Sequence, residues 1–183
     1  MTYYGGKDIA RSFRTVRNNT LQIAREIPDN KYDFSATPET RTVARTLVHI
    51  ALVPRIALHV HRNNVSDLAT VNFMEVFGPL MAEETKPRSK DEIIAVLETE
   101  GEEFAAFVDG VPDAFLAETV KLPFGEQPFK TRFEMLISPK EHEMHHRGQL
   151  MVLQRMIGLK PHLTRQMEER MAQMQAAAAP QSR

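Results

Sequence analysis

Cysteine is absent from this chain of 183 residues, and tryptophan is absent as well. Without cysteine there is no disulfide and no thiolate ligand, so side chains that bind a metal ion must supply nitrogen or oxygen atoms. Any nucleophilic sulfur in the chemistry of this protein must therefore come from a substrate or a cofactor.

Long apolar runs and a basic excess are missing too. The chain has no eighteen consecutive apolar residues, which predicts that no segment spans a membrane. The N-terminus lacks the apolar core of a signal peptide, so a cytoplasmic location is expected. The net charge of −1 and the isoelectric point near 6.7 argue against a nucleic-acid-binding surface and against a polybasic membrane anchor.

No segment shows a convincing strand pattern, whereas four segments have helical periodicity. The first covers about 7–27, and its apolar stripe consists of Ile9, Phe13, Val16, Thr20, Ile23 and Ile27. The third covers about 90–109, with Ser89 as its N-cap. Four amphipathic helices and short loops predict an all-α protein with a four-helix bundle.

The second helix is predicted at about 39–61, with Thr37 as its cap and Pro38 in its first turn. Pro54 lies inside it and has no N–H for the carbonyl of Ile50, so a kink is expected one turn after His49. A long connection, about 62–89, follows, and its sequence VNFMEVF is compatible with a short helix.

The fourth helix ends near Gly158, but two starts are possible. It begins either near Lys130 or at Ser138, where SPKE offers a cap, a first-turn proline and a capping-box glutamate. A continuous helix should bend at Pro139. A weak fifth helix at about 163–176 precedes a frayed tail, so residues 1–162 are interpreted as the bundle and 163–183 as a C-terminal extension.

The sequence HEMHHRGQL at 142–150 carries the candidate chemistry. His142 and His146 are four residues apart, so both imidazoles project from one face of the helix and can share a metal ion. On a helical wheel, Gln149 lies in the same inward sector and Glu143 lies at its flank. The best third ligand is His49, whose neighbours at helical spacing are apolar.

The remaining histidines are weaker candidates. His59 and His61 lie on other faces near the end of the second helix, and His162 follows a proline in a loop, where exposure is expected. The simple alternative for His49 is a hydrogen-bonded core histidine without a metal. Three inward histidines are harder to explain that way, because burial together would leave unpaired nitrogens or repelling charges.

A protease is a second alternative, because residues 142–146 fit H-E-x-x-H, the helical zinc site of many metalloproteases, with Glu143 as base. That pattern is short and occurs by chance. A metalloprotease also needs a third ligand, for which Glu168 or Glu169 is the downstream candidate, but Gly158 and Pro161 break the chain between, and no strand is evident to align a peptide. We therefore consider the protease the weaker interpretation.

Three stretches resemble the DinB family, also called DinB/YfiT-like. HEMHHRGQL with LQRMIGLKP is similar to the last helix of the family and its glycine-containing end. ATPETRTVARTLVHI is similar to the entry into the second helix and its histidine, and KLPFGEQPF is similar to the connection before the last helix. The resemblance covers nearly all of the chain up to about residue 162.

The resemblance implies a bundle in up-down-down-up order, with a long crossover between the second and third helices. It implies a zinc or nickel ion bound by His49, His142 and His146, with Gln149 near the metal. Some relatives are thiol-dependent S-transferases or maleylpyruvate isomerases. The resemblance thus favours a small-molecule substrate and a low-molecular-weight thiol; a metal-dependent hydrolase and a non-catalytic metal-binding stress protein remain alternatives.

An open three-histidine ion is typical of a catalytic rather than a closed structural site. Such an ion lowers the pKa of bound water to about 7 or binds a thiol as thiolate, and Glu143 is a candidate to assist as base.

The side of the fourth helix opposite the histidines carries Met144, Arg147 and Met151. With the methionine-rich segment 163–176 they predict a contact surface, and family members are often homodimers.

Overall fold

The computed structural model describes residues 4–125 and 128–178 and shows a mostly helical protein. The helices are α1 (Gly6–Glu26), α2 (Val43–Leu52), α3 (Pro54–Arg62), α4 (Phe73–Glu84), α5 (Lys90–Asp109), α6 (Asp113–Ala117), α7 (Arg132–Met156) and α8 (His162–Ala178). Two strands, β1 (Thr119–Lys121) and β2 (Phe129–Thr131), pair antiparallel.

The core forms where the long helices meet, because α1 and α2 each pack against both α5 and α7. All six residues of the predicted α1 stripe are buried, as the periodicity predicted. The Ser89 cap of α5 is also confirmed: its hydroxyl accepts from the N–H of Glu92, whose carboxylate accepts in return from the N–H of Ser89. The up-down-down-up order and the crossover remain predictions.

The second helix divides at Pro54, as the missing N–H predicted, but its predicted start was wrong. Thr42 is the cap of α2, with its hydroxyl accepting from the N–H of Arg45. Thr37 instead closes a turn with Thr40, whose hydroxyl donates to the Thr37 carbonyl at 2.9 Å and accepts from its N–H at 3.1 Å. The Thr37 backbone is therefore engaged before the helix begins.

Of the two possible starts of the last long helix, the earlier one is observed. Thr131 caps α7 and forms a capping box with Glu134, and α7 runs without interruption through Pro139 to Met156. The cap signal at Ser138 is not used, because the chain is already helical six residues upstream. The bend at Pro139 remains a prediction.

The expectation of no strand was wrong for the segment before α7. Thr119 pairs with Thr131 and Lys121 pairs with Phe129, so the turn-rich segment forms a short hairpin. Each strand has three residues, which is too short for a visible alternation. Val120 is fully buried and packs in a small cluster with Val60 and Leu68, which fixes the hairpin against α3.

Among the described residues, one helical stretch, Val43–Arg62, is long and apolar enough to cross a membrane by length and composition alone. More than half of its apolar window, 56%, is buried inside the protein, as in a core helix.

At the other end of the chain the predicted fifth helix is present as α8, which packs against α1. The division of the chain at residue 162 remains a prediction.

Candidate metal centre

Three histidines from two helices converge at one point. His49 comes from α2, while His142 and His146 lie one turn apart on α7. The Nε2 atom of His142 is 3.1 Å from Nε2 of His49 and 3.2 Å from Nε2 of His146. All three ligand atoms lie within 4.8 Å of one another, and the three residues form a possible metal-binding group.

Glu84 orients His49 from outside this cluster. Its Oε2 lies 2.9 Å from Nδ1 of His49, and its Oε1 accepts a hydrogen bond from Nε of Arg41 at 2.6 Å. A carboxylate accepts the Nδ1 proton, which leaves the lone pair of Nε2 free to point at the cluster. The residue lies at the end of α4, 35 positions after His49, and no spacing in the sequence indicated it.

Gln149 plays the same part for His146. Its Oε1 lies 2.7 Å from Nδ1 of His146, and its Nε2 lies 3.2 Å from Nε2 of His145. An amide oxygen can only accept, so His146 carries its proton on Nδ1 and presents the Nε2 lone pair. Gln149 is an exposed residue rather than an inward one, and it contacts a candidate ligand, not the centre of the cluster.

The imidazoles are held in their neutral form, which is the form that binds a metal. Burial and then the neighbouring histidines and Arg41 lower the pKa of His142 to about 4. Burial and Arg41 lower the pKa of His49, although Glu84 opposes this. Burial also lowers the pKa of His146, against the hydrogen bond with Gln149.

The position expected for Glu143 was wrong. The wheel placed it at the flank, but its side chain is 1% exposed and lies in the core. Nε of Arg17 donates to both of its carboxylate oxygens at 3.0 Å, and the Arg17 side chain is itself buried. A carboxylate that is buried and paired in this way has a structural role, so Glu143 is not placed to act as a base.

Three other histidines, His59, His61 and His162, are separate from the cluster, whereas the ring of His145 lies 4.9 Å from that of His146. His59 is exposed, whereas His61 is 1% exposed and contacts Arg132 through Nδ1 at 3.1 Å. The expected exposure of His162 was wrong: it begins α8, is 1% exposed, and contacts Oδ1 of Asn19 on α1 at 3.1 Å. Docking of α8 on α1 covers it, and the sequence around it gives no sign of that packing.

A cavity of about 640 Å³ adjoins the cluster. His146 and Gln149 line one part of it, and Arg41, Arg45 and Thr46 line another. Its size is within the range of small-molecule sites. Both guanidinium groups also face the carboxylate of Glu84, at 2.6 Å from Arg41 and 3.6 Å from Arg45, and their remaining N–H groups can bind an anionic group such as a carboxylate.

The model of the DinB family matches residues 2–178. The chain belongs to the DinB family. No curated protein matches the sequence.

Solved DinB-like structures share the fold at low sequence identity. The DinB-like protein YjoA from Bacillus subtilis is 19% identical with a TM-score of 0.62, and the match covers 82% of this chain and 92% of that one. A DinB-like protein from Bacillus cereus is 18% identical with a TM-score of 0.65, covering 87% and 97%.

YfiT from Bacillus subtilis is 15% identical with a TM-score of 0.66, and the match covers 87% of this chain and 91% of YfiT. YfiT is described as a probable metal-dependent hydrolase with an unusual four-helix bundle topology. The likeness establishes the helical bundle fold of the present chain.

Proposed function

We propose that this protein is a divalent-metal-dependent enzyme whose ion is bound by His49, His142 and His146. The observation that carries the proposal is the convergence of three Nε2 atoms, with the Nδ1 atoms of His49 and His146 bonded to Glu84 and Gln149. With the ring protons of His49 and His146 on Nδ1, two Nε2 lone pairs face into the cluster and repel each other. A bound cation removes that repulsion.

The two nitrogen separations around His142 fit such an ion. Two nitrogens bound to one tetrahedral zinc at about 2.0–2.1 Å lie about 3.4 Å apart. The Nε2 separations of 3.1 and 3.2 Å around His142 are within a few tenths of an ångström of that value. Nitrogen ligands accept zinc and nickel alike, and we propose one of these two metals.

Each residue around the histidines has a defined part in the proposed chemistry. A divalent ion at this position supplies Lewis acidity, which activates a water molecule or a thiol near pH 7. Glu84 and Gln149 hold the imidazole rings in the orientation and tautomer that ligation needs. Arg41 and Arg45 line the adjoining cavity, where they bind and orient an anionic group of the substrate.

Hydrolysis is the reaction that we favour, because YfiT, described as a probable metal-dependent hydrolase, has the same fold. Thiol-dependent S-transfer is the second candidate. Low-molecular-weight cellular thiols commonly carry carboxylates, and the two arginines of the 640 Å³ cavity suit such a co-substrate. The cavity beside His146 favours either enzyme over a non-catalytic metal-binding stress protein, whose site would be filled by side chains.

Metal content is the first measurement. Untagged protein, supplemented with zinc or nickel and then dialysed, should hold close to one ion per chain by elemental analysis. His142→Ala should lose most of it, and His59→Ala, an exposed histidine outside the cluster, should keep it. An empty wild-type protein, or an unchanged His142→Ala variant, would contradict the proposed site.

Activity is then measured with loaded protein. Turnover of simple esters without any thiol supports hydrolysis, whereas conjugation of an electrophile only in the presence of a thiol supports transfer. Either activity should disappear in His146→Ala. If neither activity is detected with broad substrate panels at full metal occupancy, the enzyme proposal is wrong and the protein is a non-catalytic metal-binding protein.

A further inference from the structure

A second cavity, of about 310 Å³, borders the three-histidine cluster through His142. Its exposed rim is polar and consists of Lys130, Glu134 and Ser138. Apart from His61 and His142, the other lining residues are apolar and at least half-buried, so they form an apolar floor below this rim. A molecule in the cavity can therefore place an apolar group on the floor and a polar atom at the rim.

Ser138 is the rim residue nearest to the metal centre. It lies one turn before His142 on the same face of α7, about 6 Å along the helix axis, whereas Glu134 lies about 12 Å away. The Glu134 carboxylate is also engaged, because it accepts from the N–H and the hydroxyl of Thr131 at 2.7 and 2.8 Å. Lys130 and Glu134 carry opposite charges, so their end of the rim has no excess charge.

The hydroxyl of Ser138 is available to a ligand. Ser138 is exposed, and within residues 4–125 and 128–178 its hydroxyl has no hydrogen-bond partner. Other helical hydroxyls donate to the carbonyl four positions earlier, as Thr15, Thr20 and Thr46 do at 3.1, 3.3 and 2.8 Å. An accessible and unpaired hydroxyl beside a candidate metal ligand can donate to an oxygen atom of a bound molecule.

We propose that Ser138 is a specificity-determining residue of the proposed enzyme. Its hydroxyl donates a hydrogen bond to a carbonyl oxygen of the substrate, whose apolar part lies on the floor of the 310 Å³ cavity. The volume is at the lower end of small-molecule sites and suits an aromatic ring or a short branched chain. The assignment of this ligand as substrate rests on the proposed function, because His142 links the cavity to the metal centre. The binding itself does not depend on a metal.

Binding is tested first in metal-free protein, with acetophenone and ethylbenzene, which share a ring and differ in the carbonyl group. NMR titrations that follow the protein resonances measure both affinities. Acetophenone should bind roughly fivefold more tightly, the ratio expected for one neutral hydrogen bond. Equal affinities, tighter binding of ethylbenzene, or no binding of acetophenone up to its solubility limit would overturn the proposal.

Two variants test the donor. Ser138→Ala removes the hydroxyl and should fold normally, because alanine is the strongest helix former. The preference for acetophenone should vanish, while the affinity for ethylbenzene stays unchanged. Thr15→Ala removes an exposed hydroxyl of α1 and should keep the preference. An unchanged preference in Ser138→Ala would assign the hydrogen bond to another group.

Two further variants test where the ring binds. Ala57→Leu fills part of the 310 Å³ cavity and should weaken both probes roughly tenfold or more, because the added side chain occupies the space of the ring. Val152→Phe, in the wall of the arginine-lined 640 Å³ cavity, should leave both affinities unchanged. The opposite result would place the ring in the arginine-lined cavity and overturn the proposal.

Cobalt-loaded protein tests the distance to the metal centre, because cobalt(II) is paramagnetic and accepts the same nitrogen ligands. The methyl protons of bound acetophenone should relax faster than with zinc-loaded protein, and equal relaxation would place the probe away from His142. The two proposals fail separately. A protein that takes up no metal contradicts the proposed function, and the metal-free titrations still decide the role of Ser138. Full metal uptake without a preference for acetophenone contradicts the role of Ser138 alone.

Discussion

Arg17 and Glu143 form a buried ion pair in the middle of the bundle, with Nε of Arg17 donating to both carboxylate oxygens at 3.0 Å. Arg17 also donates to the backbone carbonyls of Leu97 at 2.6 Å and Ile50 at 3.2 Å. One side chain of α1 therefore joins α2, α5 and α7. Because Glu143 directly follows His142, the pair also helps to fix the rotation of α7 that presents the histidines.

Breaking this pair should destabilise the fold strongly. Glu143→Ala leaves the Arg17 charge buried without its carboxylate, which typically costs about 3–5 kcal/mol of unfolding free energy. Chemical denaturation of the metal-free protein measures the loss. Glu141→Ala, an exposed neighbour, should stay within about 0.5 kcal/mol of wild type.

The double variant Arg17→Met/Glu143→Leu completes this test. Replacing both charges with apolar side chains of similar size should recover most of the lost stability. Normal stability of Glu143→Ala would show that the pair is not a structural element of the core.

Glu84 should tune the affinity for metal through His49. Glu84→Gln keeps the size of the side chain but removes the charge that orients the imidazole, and loss of such a contact typically weakens metal binding about 10–100-fold. Competition against a chelator of known affinity measures the change. Glu83→Gln is the matched control, because Glu83 pairs with Lys86 and Arg88 instead of a histidine.

The stability of the metal-free protein should fall in mild acid, partly because of His61. Burial and Arg132 lower the pKa of this group from 6.5 to about 4, so between these values the unfolded chain binds a proton that the folded protein does not. Its contribution is fully present above pH 6.5 and is lost as the pH falls towards 4. The total is on the order of 3 kcal/mol, since one pKa unit is about 1.4 kcal/mol.

Denaturation curves between pH 7 and pH 4 check this dependence. His61→Gln should have a shallower pH dependence than wild type, by up to one proton, whereas His59→Gln should follow wild type. The pKa of His142 is also lowered to about 4, so this group adds its own pH dependence of stability, which remains in both variants. Parallel curves for wild type and His61→Gln would contradict the prediction.

We also propose that two copies of the chain associate through exposed methionines of α7 and α8. Met144, Met167, Met171 and Met174 are large apolar side chains that are 44–71% exposed in the single chain, and exposed patches of this kind often mark interfaces. Light scattering on dilute protein should give twice the chain mass. Met167→Gln/Met171→Gln/Met174→Gln should shift the mass towards the monomer, and a monomeric wild type would rule the dimer out.

Features that depend on neighbours along one helix could be predicted from the sequence. The buried stripe of α1, the Ser89 cap and the shared face of His142 and His146 all follow from the period of 3.6 residues and from hydrogen bonds within one turn. His49 was found in the same way, because its apolar neighbours on α2 indicate a face directed at the core.

The rest was decided by how the helices pack. Glu84 reaches His49 only because α4 lies against α2. Glu143 lies in the core, not at the predicted flank, because its carboxylate pairs there with Arg17 of α1. Likewise, His61 is buried with Nδ1 at 3.1 Å from NH1 of Arg132, a residue 71 positions along the chain. Contacts between distant segments depend on the rotation and offset of whole helices, which local spacing does not specify, so the tertiary structure alone determined these partners.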